Sequence, residues 1–203
     1  MIARKRSTAV LLLVAGLAIA ATLAWQRFTA GPIAVASRQW QEQQWLKVLP
    51  PGSYDNRPLQ TPVALTDTKL SHSHLLAGYR ANLAGATSAV LLHSSVQGYG
   101  GAIELVIAIS PAGRLVGVRV LKQQESPGLG DQLVDPARHW LDQFLGQTLR
   151  DTPEQAWALK RDQGAFDQLA GATVTSRAVI EAIQDTLRYF DQHRPALLGE
   201  TSP

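Results

Sequence analysis

The sequence predicts an α+β fold: an N-terminal transmembrane helix followed by one domain with a mainly antiparallel sheet and packed helices. Three observations predict it. Ser7 to Trp25 run for 19 residues without a charge. Three short apolar or alternating runs, SAVLLHSSV, AIELVIAIS and LVGVRVL, are separated by the turn sequences QGYGG and PAGR. TSRAVIEAIQDTLRYFDQH sets Val179, Ile180, Ile183, Leu187 and Phe190 at helical spacing. At 203 residues the chain is long enough for one sizeable core and too short for two comfortable domains.

The elements follow in order. An uncharged run of this length spans a bilayer core as a helix of ~1.5 Å rise per residue and closes on Trp25, an interfacial anchor. Arg4, Lys5 and Arg6 precede it and Arg27 follows, so the positive-inside rule places residues 1–6 in the cytoplasm and the main domain outside. The chain is expected to be a single-pass protein of the bacterial inner membrane with a periplasmic domain. A cleaved signal peptide is the competing reading, because Ala18 to Ala20 and Ala34 to Ala36 both offer an A-x-A pattern, but the apolar run exceeds an ordinary signal core of ~7–15 residues. The expected boundaries are 7–26 for the membrane helix, 27–72 for a juxtamembrane helix and irregular connection, 73–195 for the periplasmic domain and 196–203 for a tail.

SRQWQEQQWLKVLPPG reads as the juxtamembrane helix, with Trp40, Gln44, Trp45 and Val48 on neighbouring faces and a stop at Pro50, Pro51 and Gly52. Its two Trp side chains would rest on lipid or on the domain. Residues 53–72 lack periodicity and read as irregular, with room for one short strand. The three apolar runs make an antiparallel meander. DPARHWLDQFLG predicts a helix with Asp135 as N-cap, Pro136 at its first position, Trp140, Leu141, Phe144 and Leu145 as its buried stripe and Gly146 as its stop. WALKRD predicts a further strand turning at Gln163 and Gly164, and the long amphipathic helix closes the domain.

Composition excludes several functions. Setting aside the three N-terminal basic residues leaves 16 basic side chains against 16 acidic ones, so no nucleic-acid footprint is present. There is no cysteine, which removes disulfides, iron-sulfur ligation, thioether haem attachment and a cysteine nucleophile. His72 and His74 in SHSH lack a third ligand at a recognisable spacing and read as a solvated loop, so no metal is expected. QGYGG lacks the spacing of a dinucleotide loop and reads as a turn. Asp151 and Glu154 flank Pro153 as a solvated helix start.

LAGAT occurs twice, at Leu83 to Thr87 and at Leu169 to Thr173. The first copy runs into a strand, so Gly85 serves a turn. The second opens the long helix, where Gly171 and Ala172 permit close backbone approach and unpaired N–H groups favour an anion. Thr173, Thr175 and Ser176 are equally suited to plain capping.

DQLAGATVTSRAV, Asp167 to Val179, resembles the D-x-x-[ST]-G-A-T-x-[ST]-S segment of the covalent FMN-binding domains in the G subunit of the Rnf/Rsx electron-transport complex and the C subunit of the sodium-translocating NADH:quinone reductase. ESPGLGD, Glu125 to Asp131, resembles the family's E-T-P-G-L-G-D, and Gly98 to Gly101 fall where the G subunit has its GYGG. Ala170 and Ser126 depart from the pattern. The short chain favours the G subunit.

The resemblance implies one FMN per chain in phosphoester linkage to Thr173, with Asp167 six places before it, and no counterpart at Thr87, where Ala81 stands instead. It implies that Glu125, Ser126, Gly128, Leu129 and Gly130 form a loop against the flavin, and that a separate flavin transferase loads FMN from FAD. It implies an electron-transfer subunit of a membrane-bound, ion-translocating oxidoreductase, coupling ferredoxin and NAD redox chemistry to ion movement alongside partner subunits. A cofactor-free adaptor and a flavinylated redox protein outside any pump are the alternatives.

Overall fold

The computed structural model describes residues 42–200 throughout and, before them, Ala15, Gly16, Ala18, Ile19, Ala21, Thr22 and Trp25, all helical. The chain divides into two units, Met1–Gln43 and Gln44–Pro203. Most of the apolar segment 7–25, like Trp40, lies outside the described residues; among the described residues no helix is long and apolar enough to cross a membrane.

The second unit is built on a four-stranded antiparallel sheet in sequential order, β1 (Ser73–Leu83), β2 (Ala86–Gln97), β3 (Ala102–Ile109) and β4 (Leu115–Lys122). The three expected strands are β2 to β4. β1 adds a fourth where the sequence shows little alternation. Its pattern is disturbed by a register shift between Leu75 and Ala77, which leaves Leu76 exposed, and by Gly78, where a Cβ would meet Val63 Cγ2 at 2.5 Å. His74 therefore sits in a strand rather than a loop, while His72 just before it is exposed.

Both faces of the sheet are covered, which is why β2 and β3 read as nearly continuous apolar runs. On one face Val90, Leu92, Ile103, Leu105, Ile107 and Ile109 pack against the helix α1 (Thr173–Leu198), whose Val179, Ile180, Ile183, Leu187 and Phe190 are all buried as the helical spacing demands. On the other, Ala89, Leu91, Val106 and Ala108 are covered by Trp45, Val48 and Leu49. Gly117 permits this approach, since a Cβ there would collide with the Val48 carbonyl. Trp45 rests on the domain, edge-on to Tyr79 at 5.7 Å and to His93 at 4.7 Å between centroids.

Two expected elements take other forms. Residues 135–146 make turns and a short 3-10 helix, Trp140–Phe144, instead of an amphipathic α-helix. His139 has φ 50°, which no continuing right-handed helix accommodates, and Leu145 faces solvent instead of closing the stripe. Tertiary contacts outweigh helix propensity here: Phe144 packs on Phe166 at 4.8 Å and the Trp140 indole N–H donates to Asp167 O at 2.8 Å. The expected strand at 157–162 reduces to one parallel bridge, Leu159 to Phe166, followed by a 3-10 turn, Lys160–Asp162. The chain folds back on itself at once, with Phe166 N–H donating to Ala158 O and Lys160 N–H to Phe166 O. The turn at Gln163 and Gly164 is present, with Gln163 at φ 64°. Of the packed helices expected beside the sheet, α1 covers one face; on the other, Trp45 lies on helical residues 44–46, part of the expected juxtamembrane helix, which ends before Pro50.

Polar side chains lock α1 in place along its length. Asp185, buried in mid-helix, accepts His72 N–H at 2.7 Å and the Ser73 hydroxyl at 3.3 Å. Near the C-terminus the Arg80 guanidinium donates to Leu197 O and Ala196 O, and the Thr87 hydroxyl to Leu198 O at 3.0 Å. A cation there also complements the negative end of the helix dipole.

The face under Trp45 can be tested in two ways. Gly117→Ala forces Val48 off the sheet and is expected to cost about 1–3 kcal/mol in urea unfolding of the full chain. His93 packs on Trp45 and accepts or donates a hydrogen bond at Glu104 (3.1 Å), and burial holds its pKa below the ordinary 6.5 although Glu104 pulls the other way. The unfolded chain then binds the extra proton first. Stability is level above about pH 6.5 and declines as pH falls from there toward the lowered folded value. Urea midpoints at a series of pH values should lose that segment of the slope in His93→Gln.

Candidate functional site

The start of α1 leaves its first N–H groups without helical partners. Ser176 N–H is the first to close a bond, onto Ala172 O at 3.0 Å; among the described residues no acceptor meets the N–H groups of Thr173, Val174 and Thr175. Ala172 is the N-cap and provides no side-chain cap, and Thr173 is the first helical residue rather than one that precedes the helix. Ser176 is fully buried and turns inward, donating its hydroxyl to Ala172 O at 2.8 Å and accepting Leu169 N–H at 2.9 Å. It holds the entry to the helix and leaves the exposed end open.

Beside that end lies a cleft of about 340 Å³, lined by Tyr99, Glu125, Ser126, Leu129, Gly130, Gly171, Ala172, Thr173, Val174 and Thr175. Three segments far apart in sequence make it. The segment from Glu125 is held by its own carboxylate, buried at 7% exposure, which accepts the Thr175 hydroxyl on one oxygen and Gly100 N–H at 3.0 Å on the other. Glycine is required where these segments touch. A Cβ on Gly130 would meet Glu125 Oε2 at 2.6 Å and Thr175 Oγ1 at 2.9 Å, and one on Gly171, at φ 74°, would meet Leu129 Cδ2 at 2.7 Å.

Eight of the expected residues therefore come together: Glu125, Ser126, Leu129, Gly130, Gly171, Ala172, Thr173 and Thr175. Three stand aside. Gly128, at φ 76°, forms the outer bend of its loop, where its carbonyl accepts from Gln132. Ser176 is inside the fold. Asp167 is exposed and points to Lys160, with which it pairs at 2.7 Å, while its backbone is clamped by Trp140 and Gln143. Thr87 is remote in role, hydrogen-bonded to Asn82 and Leu198 at the other end of α1.

Sequence reasoning missed Tyr99 and Arg161. Tyr99, 71% exposed, lines the cleft together with the exposed Leu129 and Val174, so an aromatic side chain stands in solvent at a partly apolar cleft. The one signal was an aromatic residue inside the glycine turn QGYGG. Arg161 approaches Thr173 Oγ1 at 3.4 Å, and Gln168 accepts from that hydroxyl at 3.3 Å. Nothing local in KRD marks Arg161, because a turn of the chain brings it there.

A cleft lined by Tyr99, Leu129 and Val174, with a row of free N–H donors and a hydroxyl beside it, suits an anion that carries an apolar part. Residues 98–188 match the FMN-binding domain family, which spans the glycine turn, the Glu125 loop and most of α1. The geometry fits that cofactor: the phosphate end suits the N–H row, and the glycine cradle leaves room where a Cβ would intrude. FMN is the cofactor of this domain.

The chain is similar to the G subunit of the ion-translocating oxidoreductase complex of Pseudomonas aeruginosa UCBPP-PA14, 46% identical over 176 residues, covering 86% of this chain and 82% of the relative. The same-named protein of Cereibacter sphaeroides ATCC 17023 is 38% identical over 86% of this chain and 78% of its own. Among solved structures, NqrC of Shewanella oneidensis is 22% identical with a TM-score of 0.45, over 66% of this chain and 69% of that one. The chain belongs to the family of ion-translocating oxidoreductase complex G subunits.

Thr175→Val removes the hydroxyl that Glu125 accepts from and leaves a buried carboxylate oxygen short of a donor. The expected cost is about 1–3 kcal/mol, read by chemical denaturation of the full chain. Hydrogen exchange should quicken through residues 125–130 while β2 and β3 stay protected.

Proposed function

We propose that the Thr173 hydroxyl carries FMN through a phosphoester bond and that the chain relays electrons between other subunits of an ion-translocating oxidoreductase. The observation that carries this reading is the position of Thr173. It is half-buried at the mouth of the cleft, on the first turn of α1, beside Gly171 and below three N–H groups that no other described residue uses.

Each neighbouring residue then has a task. The N–H groups of Thr173, Val174 and Thr175 and the guanidinium of Arg161 offset the single negative charge of the phosphodiester. Gly171 and Ala172 keep side chains out of its path. Tyr99 and Leu129 offer apolar surface to the ring, and Glu125 fixes the loop that bears Leu129. Bound FMN supplies one- and two-electron redox chemistry, and the protein positions it.

In the attachment step a separate transferase holds FAD. The Thr173 oxygen forms a bond to the phosphorus nearer the flavin, the pyrophosphate bond breaks, AMP leaves, and the hydroxyl proton passes to a base of the transferase. Asp167, six residues earlier and exposed, is placed to face that enzyme rather than the cleft. In this reading residues 7–26 are the membrane anchor in the bacterial inner membrane, in contact with lipid, with residues 1–6 in the cytoplasm and residues 73–195 as the FMN domain in the periplasm. There the complex couples ferredoxin and NAD redox chemistry to ion movement.

The full chain, made in a host with the transferase, should fluoresce as a flavin band on a denaturing gel. Thr173→Ala should lose the band entirely and Thr87→Ala should keep it. Fluorescence that survives in Thr173→Ala would end the assignment, and a dark wild-type band would overturn the covalent linkage. Purification in mild detergent should bring multi-span subunits with the chain, which a flavinylated protein outside a pump would not do.

A further inference from the structure

The sheet has two edges, and the chain treats them differently. The β1 edge is covered by residues 61–70: Val63 N–H donates to Gly78 O, Arg80 N–H to Thr61 O and Leu75 N–H to Thr68 O, at 2.8–3.0 Å. At the β4 edge the chain's own cover stops at Leu115, which donates to Gln147 O at 3.0 Å and accepts from Gly146 at 2.8 Å. From Val116 to Lys122, no described segment other than β3 makes a backbone hydrogen bond to β4. An edge strand turns alternate N–H and C=O pairs outward, and here no described segment fills that row, although Gly117 and Val118 are buried and the open part runs from Arg119 to Lys122.

Natural edges are blunted by bulges, charges or covering segments. The register shifts of β4 flank this stretch and leave Gly117 to Val120 in regular register with β3. Alongside runs a second cleft, of about 290 Å³, with Val118 and Val120 from β4 on one side and Val134, Trp140 and Leu141 on the other. Val134 is 52% exposed. The charges around it are matched within the chain, Arg138 to Asp135 and His139 to Asp142, except one: Arg119, exposed in the middle of the bare stretch, makes no ion pair among the described residues.

The row of backbone groups calls for an extended chain, the cleft for an apolar side chain, and Arg119 for a carboxylate. Two copies of this chain pairing edge to edge about a twofold axis at Arg119 would set two unpaired guanidinium groups together, which disfavours a homodimer. We propose that the β4 edge between Gly117 and Leu121 docks an extended segment of a different subunit, which adds a fifth strand, buries an apolar side chain against Val134 and Trp140, and pairs a carboxylate with Arg119. This rests on the reading that the chain works within a multi-subunit complex, and is independent of where FMN is attached.

The test uses the full chain purified in mild detergent with its partners, and the same chain alone. The outward-facing, alternate backbone amides among residues 116–122 should exchange at least roughly tenfold more slowly in the complex, because pairing leaves them open only on local unfolding. Arg119→Glu and Val134→Asp should each lose that protection and retain less of the partner, whereas Arg150→Glu, on the exposed surface, should change neither. A photoreactive residue in place of Arg119 should cross-link to an extended stretch of another subunit. Equal exchange in the two preparations overturns the proposal even when the partners co-purify and Thr173 carries flavin. So does a cross-link to a second copy or to this chain's own tail. A chain that brings no partner with it overturns both this proposal and the complex-bound reading.

Discussion

The architecture of the cleft depends on one buried carboxylate. Glu125 sits on a loop, takes a hydroxyl from the first turn of α1 with one oxygen and an N–H from the turn between β2 and β3 with the other, and so joins three segments that share no secondary structure. A buried charge is costly unless its oxygens are satisfied, and charge-assisted bonds of this kind are among the stronger ones open to a chain. The glycines at positions 98, 100 and 130 are the steric counterpart, since a side chain on any of them would strike Glu125 or the backbone beside it. A loop that would otherwise move freely is held at a fixed distance from the helix end.

The two copies of LAGAT end up at opposite poles of α1. The second starts the helix and exposes Thr173; the first, on the strand beside the helix end, uses Thr87 together with Arg80 to satisfy its last carbonyls. One hydroxyl bonds the last turn of the helix, and the other, at the cleft, bonds only the exposed side chains of Gln168 and Arg161. The helix between them lies across the sheet through Val179, Ile183, Leu187 and Phe190, so the site at its start is borne by the largest apolar surface in the fold. Loops alone rarely give such rigidity to a binding site.

Much of this was legible in the sequence. β2, β3 and β4 stood out as apolar runs between glycine turns, and α1 as a 3.6-residue period, because each buries a regular stripe or a whole strand. The residues from Glu125 to Gly130 and from Gly171 to Thr175 were legible as glycine-rich stretches with a family resemblance. β1 was not, because Gly78 and a bulge break its alternation where residues 61–65 pack on it. Residues 135–146 read as a helix by capping and stripe, yet His139 in the left-handed region and the pull of Phe166 on Phe144 decided otherwise. Arg161 carries no local pattern and Tyr99 only that of an aromatic residue in a glycine turn, and the cleft acquires both through folding.

The sequence by itself determined β2 to β4 and α1, since periodicity and turn residues are local properties, and the flanks of the two LAGAT copies set one before a strand and the other before the long helix. The tertiary structure alone decided which side chains meet: that Glu125 turns inward and bonds Thr175, that Asp167 turns outward to Lys160, and that Tyr99 and Leu129 line one cleft. Those outcomes follow from packing between residues up to 76 positions apart, from Tyr99 to Thr175, and no window along the chain contains them.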